Sequence, residues 1–519
     1  MMKKRYKHLR LVLGDQLNIK HSWFKHKDDE VLYVLAELKQ EQTYVKHHGQ
    51  KIIAIFTAME KFANALNKSG YHCLHLNLDE TAEFESLPQM LTNLFTQFSI
   101  TTFEYQRPDE FRLLMQLRDF CTICDIATKE FDTEHFLYTT NEIQKNFEQN
   151  KHYTMEFFYR KMRKKFHILM DENNKPLGGK WNFDKSNQNS FKSQDLQNIP
   201  APLIFSNETA EIVKRLQRNN IQYFGQTDHC HWPTDRKESL KLLDFFCNNQ
   251  LQHFGTFQDA MTNQTAYSWS LYHSRLSFSL NMKMIHPLEV IQKVEDTYLQ
   301  NPNKISIEQA EGFIRQILGW REFIRAIYWS NIENKNNHNF LNALNTLPDF
   351  FWTAKTKMNC LSESIKQSLE YAYAHHIQRL MITGNFCLLA GIDPRQVDEW
   401  YLGIYADAFE WVQYPNTRGM SQFADGGLVA TKPYACGANY VNKMSDYCKN
   451  CVYDPKEKLG ENACPLNSLY WNFFLQHKNQ FEHNPRLKFV YSHINKLSTE
   501  ETNAITEHAH QLITELNNL

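Results

Sequence analysis

No stretch of this sequence reaches 18 consecutive apolar residues, so no membrane-spanning helix is expected. An excess of one charge is missing too: 57 Lys and Arg stand against 58 Asp and Glu. Any polyanionic partner must therefore be met by a local basic surface rather than by net charge. The opening "MMKKRYKHLRLVLGDQL" is basic, but the apolar run behind it is too short for the core of a secretory signal. There are no internal repeats, which excludes solenoids and propellers. Eleven cysteines, an odd number, without a secretory signal argue for reduced thiols and metal ligation rather than a disulfide framework. A cytoplasmic location is expected.

What is present is a long aromatic-rich chain: 519 residues, with 36 Phe, 24 Tyr and 10 Trp. That length leaves room for two or three domains. The first third alternates strands and helices. "LRLVLG" (9–14), "EVLYVLAE" (30–37), "YHCLHLNL" (71–78) and "ITTFEYQ" (100–106) read as strands. In "KIIAIFTAMEKFANALNKSG" the residues Phe56, Met59, Phe62, Ala63 and Leu66 recur at helical spacing, and Gly70 ends the segment. Strand–helix alternation predicts a parallel sheet covered by helices, with ligands near the carboxyl ends of its strands.

From about 140 to 235 the pattern loosens, and "MDENNKPLGGKWNFDKSNQNSFKSQDLQNIPAP" is rich in turn formers. Just before it, "YRKMRKKFH" (159–167) is a basic run that reads as a solvated helix face. Beyond about 240 nearly everything reads as helix; Phe313, Ile317, Trp320, Ile324 and Ile327 mark one buried face. The expected architecture is an α/β domain (1–140), a connection (141–235) and a large all-α domain (236–519).

The sharpest local signal is "YCKNCVYDPKEKLGENACP" (447–465). Cys448 and Cys451 form a C-x-x-C pair, Cys464 follows after twelve residues, and Pro465 comes next. A C-x-x-C turn aims two sulfurs at one ion or cluster. A zinc ribbon would close with a second such pair or an H-x-x-x-H, and none follows; the Cys-Pro ending occurs in ferredoxin-type cluster motifs. On spacing alone iron–sulfur, zinc and no metal all stay open. Cys360, in "KMNCLSES", is the best candidate for a fourth ligand, while Cys387 and Cys436 read as buried thiols. A second pair, Cys121 and Cys124 in "FCTIC", reads as two small packed side chains.

Four blocks, "YHSRLSFSLNMKMIHP" (272–287), "EGFIRQILGWREF" (311–323), "HHIQRLMITGNF" (375–386) and "DEWYLGIYADAFEWVQYPNTRGMSQFADGG" (398–427), carry a resemblance. With "GDQL" (14–17), "TYVKHH" (43–48) and the cysteine set, the chain resembles the photolyase/cryptochrome family from end to end. It is most similar to the bacterial iron–sulfur branch, the prokaryotic (6-4) photolyases. The resemblance implies an α/β antenna domain and an all-helical domain binding FAD; the lack of any G-x-G-x-x-G after a strand fits a flavin held outside a dinucleotide fold. It implies a [4Fe-4S] cluster on Cys360, Cys448, Cys451 and Cys464. Ser274, Arg275, Leu276 and Ser277 match the segment that wraps the flavin phosphates, and hydroxyls, backbone N–H groups and a guanidinium suit a pyrophosphate. Asp407 matches an acidic residue near the flavin ring. Asp15 and Glu41 match contacts of a 6,7-dimethyl-8-ribityllumazine antenna.

The implied activity is light-driven repair of (6-4) photoproducts in UV-damaged DNA, by a monomer that needs no membrane. A blue-light photoreceptor of cryptochrome type with the same cofactors is the alternative, and a zinc-dependent nucleic-acid-binding module is a third reading. His375 and His376, on a predicted helix, match the family's catalytic histidines, because a proton donor near neutral pH is most naturally histidine. His376 is the expected donor, with His375 as its support or as a contact to the lesion. Animal-type (6-4) enzymes place a second histidine four residues on, where this chain has Leu380. Tyr434 is a candidate hydroxyl in the lesion pocket. Trp352, Trp400 and Tyr401 match electron-transfer positions.

Overall fold

A computed structural model describes residues 5–333 and 338–519. Its strands are β1 (His8–Leu11), β2 (Val31–Ala36), β3 (His47–His48), β4 (Cys73–Leu76), β5 (Thr102–Gln106), β6 (Ala127–Phe131) and β7 (Tyr223–Phe224). Five of them form one parallel sheet in the order β4-β2-β1-β5-β6. Central β1 pairs Leu9 with both Leu32 and Phe103. Helices cover the sheet, so Val31 to Leu35 are buried without alternation. The four sequence-read strands are all present. Edge strand β6, "ATKEF", escaped that reading because its first three residues are exposed and show no apolar alternation. The two-residue pair β3–β7 is likewise too short to leave a periodic signal.

The helix Gly49–Lys68 begins where the His48 ring accepts from the N–H of Gln50. It buries Ile52, Ile53, Phe56, Met59, Ala63 and Leu66, the five larger side chains each contributing roughly 1.5–3 kcal/mol relative to exposure. The same apolar cluster takes in Phe278, Met282, Tyr373 and Ala406, so the sheet layer and the helical region share a core. Lys283, fully buried, fastens the two with 2.9 Å ion pairs to Asp15 and Asp109. Lys51 donates across the same junction to the carbonyls of Leu402 and Ala408, both at 2.7 Å.

Residues 141–235 include helices Met155–Phe166 and Ala210–Arg218, and Thr140–Asn146 begins just before them. In the basic run Arg163 is not solvated. It is buried and donates to the carbonyls of Ile168, Leu169 and Trp181. Among the described residues no strand follows β7. "EGFIRQILGWREFIRAIYW" runs through helix Ile307–Ile314, a π-helical segment Arg315–Arg321 and helix Glu322–Asn331. Trp320 is only partly buried there, a correction to the expected face, because the π turn shifts the phase.

Candidate functional site

Three π-helical segments, Arg315–Arg321, Gln378–Gly384 and Pro415–Ser421, converge on one cavity of about 700 Å³ in the helical region. The extra residue in a π turn displaces backbone that a regular helix would keep straight, and such turns collect at functional sites. Two of the segments meet at Gly384. A Cβ there would collide with the Ser421 hydroxyl and lie 2.6 Å from the Arg379 carbonyl. The volume lies within the range of organic-ligand sites.

One wall of the cavity is Ser274 to Ser277. Arg275 sits at φ 55°, a left-handed conformation rare for a side-chain-bearing residue. It donates to the Leu203 carbonyl at 2.7 Å and lies 4.7 Å from the Trp269 ring centroid. Its Nε remains without a protein partner, and burial pushes the guanidinium down to about 10. Ser277 donates to Asp407 at 2.6 Å. Asp407 also pairs with Arg379 at 2.9 Å, and the Arg379 guanidinium lies 3.8 Å from the Tyr405 ring centroid. Ser277 and Asp407, 130 residues apart, are thus joined directly. Arg379 was missed in sequence; it lies in the quoted "HHIQRL" block, but nothing local to it marks the pairing.

His375 and His376 line the same cavity. They do not ride mid-helix as expected. Helix Asn359–Tyr371 ends at Ala372 with φ 51°, and His375 lies in the break before the next helical turn. The His375 ring stacks on His273 at 4.4 Å and 15°, a partner the sequence did not suggest, and neither of its nitrogens has a protein partner. Burial first, then His273, His376 and Arg379, hold its imidazole well below the usual range. His376 presents its ring to the open cavity, while surrounding protein and then Arg379 push its imidazole down to about 4. Leu380 and Tyr434 also line the cavity, and burial raises the Tyr434 phenol.

Of the three electron-transfer candidates, Trp352, Trp400 and Tyr401, the last alone lines the cavity. Its hydroxyl donates to the Arg379 carbonyl at 2.6 Å. Trp400 is fully buried, 5.2 Å from Tyr401 between ring centroids and 5.0 Å from Phe351. Trp352, the next residue after Phe351, is 41% exposed. The three positions therefore run from surface to cavity.

Cys360, Cys448, Cys451 and Cys464 line one small separate cavity. Burial raises the Cys360 thiol, and Cys464, Cys448 and Cys451 raise it further, so all four are mutual neighbours. Cys360 lies in the first turn of helix Asn359–Tyr371, and Cys464 immediately precedes Pro465–Gln476. Asn359 donates to the Tyr447 carbonyl at 2.8 Å and Cys464 N–H to Asp454 at 3.1 Å, holding the loop against the helix. Cys436 is beside Cys464 but faces the Met381 carbonyl, and Cys387 is in the core. Cys121 and Cys124 pack against the sheet core.

Asp15 and Glu41 line a third cavity, of about 130 Å³, between sheet and helical region. Each carboxylate already has a cation, Asp15 from Lys283 and Glu41 from Arg112 at 2.6 Å. Asp15 caps no helix. His47, on the same wall, keeps both ring nitrogens unpartnered.

The family described as deoxyribodipyrimidine photo-lyase-related protein matches residues 10–232. A (6-4) photolyase of Agrobacterium fabrum (strain C58 / ATCC 33970) is 40% identical over 485 residues, 93% of this chain and 94% of its own. A solved bacterial class III photolyase from Agrobacterium tumefaciens has a TM-score of 0.54 at 15% identity, covering 83% of this chain and 82% of that one. A Synechocystis sp. PCC6803 cryptochrome has a TM-score of 0.52 at 14% identity, covering 97% and 95%. These two share the fold. Taken with the 40% identity along nearly all of both sequences, they identify the chain as a member of the photolyase/cryptochrome family, among the deoxyribodipyrimidine photo-lyase-related proteins.

Proposed function

We propose that this chain repairs (6-4) pyrimidine–pyrimidone photoproducts in UV-damaged DNA under blue light, with FAD in the central cavity. The observation that carries the reading is the cavity itself. Ser277, Asp407 and Arg379 form a charged cradle at one wall and His375 and His376 form another, in a chain so similar to a (6-4) photolyase. Arg275 Nε, His273 Nε2 and both nitrogens of His375 are buried and unpaired, and buried polar atoms ordinarily have partners. A large polar cofactor bound in the cavity would supply them.

Reduced FAD, when bound, would supply the electron on excitation. The protein's own part is position, charge and protons. Ser274, Arg275 and Ser277 would hold the phosphates, and the Asp407–Arg379 pair would fix the charge beside the ring system. The lesion enters as a flipped nucleotide. His376, neutral at pH 7 in the free protein, gains proton affinity when anionic groups arrive beside it. It would then hold a proton at a ring nitrogen and pass it to the lesion, with His375 as support and Tyr434 as a contact. Trp352, Trp400 and Tyr401 would carry electrons inward from the surface.

The four thiols would hold a [4Fe-4S] cluster. Thiolates are the ligands of such clusters, and all four cysteines line one cavity. The interdomain cavity with Asp15, Glu41 and the unpartnered His47 would take the lumazine antenna. The test is illumination of reduced, FAD-loaded protein with an oligonucleotide carrying one (6-4) photoproduct. The lesion disappears in blue light and persists in the dark; persistence in both favours a photoreceptor.

A further inference from the structure

The thiol cavity and the histidine break are joined by a buried amide. Gln378, 1% exposed, begins the second π segment. Its Oε1 accepts from the His375 N–H at 3.1 Å and from Gln367 Nε2 at 3.0 Å. Its Nε2 donates to Gln367 Oε1 at 3.0 Å and to the Tyr447 hydroxyl at 3.2 Å. Tyr447 is fully buried and directly precedes Cys448. Gln367 donates in turn to the Tyr373 carbonyl at 3.2 Å, two residues before His375. Every donor and acceptor of the Gln378 amide is therefore used, and its flip state is fixed by its partners.

We infer that Gln378 is the positioning residue for the His375–His376 pair and that, through Tyr447, it ties their placement to the cysteine centre. The physical ground is a conflict of requirements. The chain breaks at Ala372, so the His375 N–H has no helical carbonyl to reach, and a buried orphan donor costs free energy comparable to a lost hydrogen bond. Gln378 meets that need from three residues downstream and fixes the angle at which the two imidazoles enter the cavity. The His375 ring makes no hydrogen bond within the protein, only the stack on His273. Its support is at the backbone, where the N–H is held by Gln378 and the carbonyl accepts from Arg379 N–H at 3.2 Å. The bonds to Tyr447 and Gln367 keep the amide from swinging, and a network satisfied at every atom is rigid.

This inference rests on the reading of His376 as the proton donor, and its test is built to separate the two. Gln378→Met keeps the length of the side chain and removes all four bonds. Amide hydrogen exchange over 373–377 then rises about tenfold or more, since exchange follows local opening. The kcat for (6-4) repair falls by roughly tenfold or more, because ångström-scale misplacement of a catalytic group is that costly. KM for lesion DNA, FAD content and iron content stay as in the unaltered protein. Tyr447→Phe, which removes one of the two Nε2 partners, raises exchange over the same residues by a smaller factor, and it carries the test if Gln378→Met does not fold. Unchanged exchange overturns the inference even if repair is confirmed. Equal losses of kcat, FAD content and lesion affinity overturn it too, by reducing Gln378 to a packing residue. If the unaltered protein repairs nothing, the exchange measurement still decides whether Gln378 places the histidines.

Discussion

Asp407 makes the site's chemistry concrete at the scale of one side chain. It accepts from Ser277 and pairs with Arg379, tying the Ser274–Ser277 segment to the second π segment. Removing one partner from a buried ion pair leaves the other uncompensated, at a cost of about 3–5 kcal/mol. Asp407→Asn is expected to lower the thermal midpoint and release the flavin, checked by a melting curve and by flavin content after gel filtration. Asp407 and Ser277 were legible in sequence because they sit in long, distinctive blocks. Arg379 was not, since the pairing spans 28 residues and no spacing rule encodes it. Arg275 was legible as a cavity residue, but its terminal nitrogen is turned onto the Leu203 carbonyl.

Elements decide what residues can do here. The three π segments are continuous with ordinary helices in their apolar periodicity, so a helical reading of "EGFIRQILGWREF" finds the element and misses the turn. The same limit hid the break at His375, where Ala372 carries a left-handed φ without being glycine or asparagine. Gly384 is the exception, a glycine whose reason is visible once two π segments are seen to touch there. Gly384→Ala places a methyl group against backbone and the Ser421 hydroxyl, and overpacking of this kind costs typically 1–3 kcal/mol. The expected result is a lower urea midpoint with weakened FAD retention; an unaltered midpoint would mean the segments separate easily. The cysteine element was the most legible of all, because C-x-x-C spacing and Cys-Pro are local. Cys360 was the best fourth candidate in its own context and was implied by the resemblance as well, and the structure brings it to the same cavity as the other three.

At the scale of the molecule, strand–helix alternation followed by continuous helix made the architecture readable. The shared core was not readable, because Lys283 reaching Asp15 and Asp109 is a contact between distant segments. Burial of histidines adds a global property. His48 and His273 are each pushed down to about 4 by burial, against about 6.5 in an unfolded chain. Between those values the unfolded state binds more protons than the folded one, so stability rises with pH there and falls as pH drops. Urea unfolding at pH 7 and pH 5 is expected to give the lower midpoint at pH 5; equal midpoints would mean that both imidazoles titrate normally in the fold.

The central claim is that blue light drives repair in the helical cavity with His376 as proton donor. Its most direct test compares the unaltered protein with His376→Ala, both reduced and FAD-loaded, on an oligonucleotide carrying one (6-4) photoproduct. The account predicts light-dependent restoration of the pyrimidines by the unaltered protein, and loss of at least ~100-fold in rate for His376→Ala, in line with general-acid contributions, with flavin still bound. Full repair by His376→Ala, or no repair by the FAD-loaded unaltered protein, would contradict it.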